Sequence, residues 1–387
     1  MHTSILQRID EIPAADWDRL TDGNPFLQHA FLRALEQCGC VGPGTGWQPN
    51  HLTLWDGERL AGAIPGYLKE HSFGEFVFDW AWAEAYARAG ISYYPKWVSA
   101  VPFTPVTGRR LLVAEGRDPV ALRQHLIEAQ LEFLGHQDLS SAHWLFTPAD
   151  DTKALADFDL SVRLGCQYHW HNPGYGDFQD YLDQLKSKRR KEIRRERRQA
   201  NEAGLDLRVL SGHEIEETHW RAYHHFYCST FDRKWGYPSL TLDFFRQLGR
   251  DMPDSVVLAL ALRDEVPVAG AFALRGPDTL FGRHWGCTEQ VPGLHFELCY
   301  YRLIEYCIHH RLRRFEAGAQ GEHKITRGFD PVRTWSAHWI GHSGFRQGIH
   351  AFVRQERAEM GRYFRALASH SAYRDGAAPL YDGGVLN

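Results

Sequence analysis

The residues best equipped for chemistry stand together in Gly318–Lys324, which reads GAQGEHK. Gln320 brings a donor and an acceptor, Glu322 and His323 are two proton acceptors, and Lys324 is a cation. The two glycines permit close backbone approach and positive φ, so a short frame can present a base beside a group that holds an anion. A glycine-rich loop whose charges cap neighbouring helices would use the same residues.

The preceding segment supplies the setting. GRHWGC (282–287) reads as a strand, TEQVPG as a turn, LHFELCYYRLIEYCIHHRL (294–312) as a helix and RRFE as a short strand. Leu294, Leu298, Tyr301, Ile304, Ile308 and Leu312 recur at steps of three and four, which predicts one amphipathic helix. Polar groups at a strand's carboxyl end, facing a helix N-terminus, mark the usual ligand position of open α/β sheets. Glu297, in the first helical turn, is a second base candidate or simply a cap. Gly293, the backbone N–H groups of Leu294 and Phe296, and His295 are candidates for an anionic cofactor. Alternation puts Arg283 and Trp285 on one strand face, either lining a donor channel or pairing a core tryptophan with a surface arginine.

Two further clusters are candidate substrate contacts. Asp232, Arg233, Lys234 and Trp235 lie in STFDRKWGYP (229–238). Asp79, Trp82, Glu84 and Tyr86, with Tyr94 and Lys96, form an aromatic–acidic group in the first half. Both groups also suit inter-domain packing. Lys186–Arg198 (KSKRRKEIRRERR) carries nine basic and two acidic residues. Its apolar content is too thin to bury a wide face, so a largely solvated helix is expected. Arg189, Arg190 and Arg194 are the candidate polyanion contacts, with intrahelical pairing to Glu192 and Glu196 as the other use of this charge. His219, His224, His225, His338 and His342 form no recognised ligand pattern, and no metal is expected.

The chain has 387 residues with a net charge of −4, so the remainder outside the basic run carries −11. Length favours two domains, and the Asn172-Pro173-Gly174 turn sets the expected boundary. The domains then run 1–171 and 172–370, with 371–387 as a loosely ordered tail. Asp56–Leu68 and Asp264–Gly276 share a turn–strand shape and an Ala-Gly-Ala core, and both precede a strand, a helix and a strand, which favours a tandem duplication. A single helix is expected from Phe178 to about Ala203, and a strand over FGEFVFDWAW. Seven cysteines without a paired framework, no apolar leader and no long apolar run predict a cytoplasmic protein without a membrane span.

An antiparallel meander, helix and short strand in this order resemble the GNAT acyltransferase core, and two such units with a basic helix opening the second resemble its FemAB-like branch. NPFLQHAFLRALE, QYHWHNPGY, KSKRRKEIRRERR, STFDRKWGYPSLT and GAQGEHKITRGFDPV are similar to segments of the bacterial predicted N-acyltransferase family, related to peptidoglycan biosynthesis or recognition. The resemblance implies an α/β (α+β) chain of two tandem GNAT-like domains, with mixed, mostly antiparallel sheets flanked by helices. It implies an N-acyltransferase moving an acyl or aminoacyl group from acyl-CoA or aminoacyl-tRNA to a small-molecule or peptide amine, without a covalent enzyme intermediate. His323 or Glu322 would then take the proton, and Lys324 or backbone N–H groups would hold the oxyanion. The turn at 291–295 lacks the family fold's basic pyrophosphate signature. The rival expectation is a non-catalytic protein that holds a peptidoglycan-type or peptide ligand in an inter-domain cleft.

Overall fold

A computed structural model describes residues 1–232, 237–319 and 321–374. The candidates Gln320, Arg233, Lys234 and Trp235, the side chain of Asp232 and the tail from 375 lie outside the described residues. The chain forms two compact units. Among the described residues, the first comprises Met1–Cys166 together with Arg333–Arg365, and the second comprises Gln167–Val332 and residues 366–374.

In the first unit, the Asp56-Gly57 turn joins antiparallel strands His51–Asp56 and Arg59–Ile64, with Asp56 opposite Arg59. Strands His2–Leu6 and Leu112–Val113 flank them. In the first unit a further run of strands is Trp47–Pro49, Tyr67–Lys69, Lys96–Ser99 and Ser141–Thr147, the last pairing with residues 335–340 of strand Asp330–Ile340 in the returning chain. The helix Pro119–Gly135 is capped by the Asp118 carboxylate, which accepts from the N–H groups of Val120 and Ala121. Leu52, Ile64, Trp97, Leu126 and Trp144 meet in the core behind it.

FGEFVFDWAW does not form the expected strand. Residues 73–79 are irregular and the helix Trp80–Arg88 follows. The alternation that reads as a strand has another cause. Ser72, Glu75 and Asp79 turn inward to Lys96, while Phe73, Phe76, Phe78 and Trp80 face solvent.

The second unit carries the meander Val256–Arg263, Val266–Arg275 and Thr279–Cys287, edged by Asp206–Ser211. Strand Arg314–Glu316 joins it parallel to Thr279–Phe281, after the crossover that begins at Leu294. Their pairing ends at Phe281 opposite Glu316, although the longer strand continues to Cys287. A bulge faces Arg283 and His284, since Ala271 pairs with Trp285 while Ala273 pairs with Gly282.

Two helices depart from expectation. The chain is not one helix from Phe178 to Ala203, because Leu185 takes an extended conformation between Phe178–Gln184 and Ser187–Asn201. Leu185 is fully buried and bridges to Tyr373, which anchors the break. The stretch 371–374, which the sequence places in the tail, is thus packed: Tyr373 donates its hydroxyl to the Gly328 carbonyl at 2.8 Å. The crossover helix contains a π turn over Glu297–Tyr301, where the Arg302 N–H reaches back to the Glu297 carbonyl. Within this turn Glu297, Tyr300 and Tyr301 are all buried.

Candidate active site

The Gly318–Lys324 segment leaves the carboxyl end of strand Arg314–Glu316 and enters a short 3-10 helix, Glu322–Arg327. Gly321 has φ +113, and a Cβ there would meet the His323 ring at 2.5 Å. Glycine is therefore required for the turn that presents this imidazole. His323 is exposed, while the next side chain, Lys324, is buried. The Lys324 ammonium donates to the Gly318 carbonyl at 2.9 Å. Burial first, and the Arg283 guanidinium second, pull its pKa down to about 7. Burial likewise lowers Arg283 to about 10, so it stays cationic at neutral pH. Glu322 is exposed at the start of this helix.

Tyr300 supplies a partner that the periodicity did not mark. Its hydroxyl lies 3.0 Å from His323 Nε2. Burial, followed by Arg327 and Lys324, lowers the His323 pKa, which favours a neutral ring at pH 7. Burial raises the Tyr300 pKa, so its proton stays on oxygen. Around this pair the structure gathers the other expected residues. The His295 ring centroid lies 5.3 Å from Trp285, 5.2 Å from Phe296 and 6.4 Å from His323. The Glu316 carboxylate favours the Arg283 cation, which in turn repels the charge on Lys324, while His284 packs on Tyr227, at 4.9 Å between centroids. The bulge interrupts simple alternation here, and sequence spacing carries no sign of it.

Glu297 sits in a different environment. It is fully buried, and Arg197 meets both its oxygens at 3.1 Å, with Arg302 Nε also at 3.1 Å. A carboxylate held by two guanidinium groups makes a strong structural tie. Gly293 belongs to the same junction. It has φ +79, and a Cβ would come within 2.5 Å of the Glu196 carbonyl oxygen. The helix start considered for an anion is therefore covered by the main chain of the basic helix.

That basic helix is only partly solvated. Ile193 and Ala200 are buried, and Glu196 and Arg197 share their face. Glu196 accepts from Arg327 at 2.6 Å and from the Tyr301 hydroxyl. Arg327 stacks over Phe296, 3.4 Å from the ring centroid, and donates to the His323 carbonyl at 2.9 Å. The helix thus braces the loop carrying His323. The steps 193, 196, 197 and 200 were the available signal. Of the expected polyanion contacts, Arg189 pairs with Glu192 at 2.8 Å, Arg190 with Asp183 at 3.4 Å, and Arg194 with the Gln179 amide oxygen at 3.0 Å.

In the first unit, Asp79, Tyr94 and Lys96 come together. The buried Lys96 ammonium donates to Ser72 at 2.7 Å, to Glu75 at 2.8 Å and to Asp79, and Tyr94 reaches the same Ser72 hydroxyl. Burial pushes Glu75 up to about 7. Burial also opposes the Asp79 charge, yet Lys96 and His143 hold that carboxyl down at about 2. Trp82 packs on His143 and His338, Tyr86 packs on Tyr93 and Phe345, and Glu84 lies exposed beside Arg88. Among the described residues no group of three or more His, Cys, Asp or Glu could hold a metal ion. No helix there is long and apolar enough to cross a membrane.

The model of the FemAB-like family, described as peptidoglycan biosynthesis/recognition, matches residues 8–375. No curated protein sequence matches the chain. Among solved structures, FemX matches at 9% identity with a TM-score of 0.55, covering 90% of this chain and all of its own. L-PGS from Bacillus licheniformis matches at 11% identity and a TM-score of 0.53, over 88% of this chain and 95% of its own. The C-terminal domain of a putative lysylphosphatidylglycerol synthetase from Agrobacterium fabrum matches at 10% identity and a TM-score of 0.53, over 88% and 96%. At such identities the likeness concerns the fold, a tandem GNAT-like arrangement.

Proposed function

The chain belongs to the FemAB-like family, and from that premise we propose that it is an N-acyltransferase, moving an acyl or aminoacyl group from acyl-CoA or aminoacyl-tRNA onto an amine. The observation that carries this reading is the consecutive pair His323 and Lys324, one an exposed imidazole and the other a buried ammonium, just past a strand end.

The acceptor nitrogen attacks the donor carbonyl, forming an N–C bond and a tetrahedral oxyanion. The positive field of Lys324 and Arg283 favours that oxyanion. The nitrogen's proton passes to Nδ1 of neutral His323, in the tautomer whose Nε2–H donates to the Tyr300 hydroxyl oxygen. Collapse breaks the C–O or C–S bond, and the imidazolium returns the proton to the leaving group. Enzyme and charge are restored, and no acyl-enzyme forms.

Incubating the purified chain with acyl-CoAs or charged tRNA and amine acceptors, with amide product scored by mass spectrometry, tests this directly. Amide formation abolished in His323→Ala with the melting temperature kept supports the reading. Ligand binding without turnover, indifferent to His323 and Lys324 substitutions, would replace it with the binding-protein reading.

A further inference from the structure

The main chain of His323 and Lys324 is held from a few residues further along. The Arg327 guanidinium donates to the His323 carbonyl at 2.9 Å, the Phe329 N–H to the Lys324 carbonyl at 3.2 Å and the Gly328 N–H to the Ile325 carbonyl at 3.1 Å. The placement of the imidazole and the ammonium is therefore only as firm as residues 327–329. These residues close the short 3-10 helix, and the last carbonyls of a helix find no partner within it. Two tyrosines supply the partners. Tyr181 donates to the Arg327 carbonyl at 2.7 Å, and Tyr373 donates to the Gly328 carbonyl at 2.8 Å. Burial raises the pKa of both phenols, so each keeps the proton that it donates. The chain passes between the two hydroxyls at Gly328. There φ is +73, and a Cβ would lie 3.0 Å from the Tyr373 hydroxyl and 3.1 Å from that of Tyr181.

Tyr373 is itself fixed by main-chain bonds. The Lys186 N–H donates to the Ala372 carbonyl and the Arg374 N–H to the Gln184 carbonyl, both at 2.9 Å, so this segment clasps the break between the two helices. The Arg374 side chain adds a bond to the Leu185 carbonyl at 3.2 Å. We propose that Tyr373 is a positioning residue for the acyl transfer, with Tyr181 beside it: their hydroxyls set the His323–Lys324 pair through the main chain at 327–329. Tyr373 acts through Gly328 rather than on the reacting atoms. The proposal rests on the transferase reading for its effect on rate, and on the hydrogen bonds alone for its effect on the loop.

Tyr373→Phe removes one oxygen and keeps the ring, so it is the variant to test. Two measurements on the full chain are needed: the kinetics of amide formation and hydrogen–deuterium exchange of the backbone amides. The melting temperature should move little, and kcat should fall about tenfold or more while KM holds. The Gly328 and Phe329 amides should exchange about tenfold faster or more, with the meander strands unchanged. Tyr181→Phe should act in the same direction, and it carries the test if the first variant fails to fold. An unchanged kcat overturns the proposal, whether or not the loop amides exchange faster. So does exchange that quickens equally throughout the second unit, which would make the hydroxyl a general stabiliser. Loop amides that loosen in the variant while the wild type forms no amide would instead sink the transferase reading and leave the anchoring of the loop standing.

Discussion

Arg197 grips Glu297 at two points, Nε on one carboxylate oxygen and Nη2 on the other, both at 3.1 Å. This buried pair ties the basic helix to the π turn that carries Tyr300. Arg197→Ala leaves a buried carboxylate short of a partner and should cost about 3–5 kcal/mol, read by urea denaturation. Glu297→Gln should likewise destabilise the fold while leaving turnover per folded molecule within a few-fold of wild type. A loss of a hundredfold or more in the folded variant would make Glu297 the base.

Gly293→Ala is expected to be more disruptive than its size suggests. Its φ of +79 strains any L side chain, and the added methyl meets a backbone oxygen at 2.5 Å. A loss of at least about 2 kcal/mol follows from strain and clash together. An unshifted denaturation midpoint would mean the two segments are not in contact.

The rate of acyl transfer should be bell-shaped in pH. Neutral His323 is required on the acid side, and protonated Lys324 is lost as pH rises through about 7. Lys324→Arg should therefore remove the alkaline limb, and Lys324→Met should lower the rate throughout. His323→Ala is expected to cost about 10²–10⁴-fold. Tyr300→Phe should shift the acid limb while the melting temperature moves little.

Lys96→Met should leave Glu75 and Asp79 buried without their cation and cost about 3–5 kcal/mol at pH 7. The loss should shrink on acidification as Glu75 takes up its proton below about 7. Thermal unfolding of both proteins between pH 5 and 8 measures this.

Burial raises Asp330 from 3.8 to about 7. Its folded-state preference is for the neutral acid, so this stabilisation is complete below 3.8 and fades as pH rises through about 7. Asp330→Asn should thus stabilise the protein at pH 8.5 by up to about 4 kcal/mol and change little near pH 4. Equal shifts at both pH values would refute the assignment.

Much of the second unit was legible because its elements announce themselves locally. The meander has clear turns, and the crossover residues Leu294, Leu298, Tyr301, Ile304 and Ile308 are all buried as their spacing predicts. The π turn was not legible, since a one-residue slip in hydrogen bonding leaves the apolar stripe almost unchanged. The bulge at Arg283–His284 was hidden for the same reason. The loop carrying His323 and Lys324 stood out by composition, but its partner Tyr300 is 23 residues away. In the basic run, charge count obscured geometry: Glu196 and Arg197 look like surface residues until the face shared with Ile193 is counted. The FGEFVFDW segment misled because polar residues drawn inward by one lysine mimic a pleat.

The return of Arg333–Arg365 to the first unit has a bearing on how the protein is made. During synthesis the amino-terminal half must wait, its sheet short of the strand Asp330–Ile340 that pairs with Ser141–Thr147, until nearly the whole chain has left the ribosome. A gene cut near codon 170 would encode an unfinished half rather than a freestanding module.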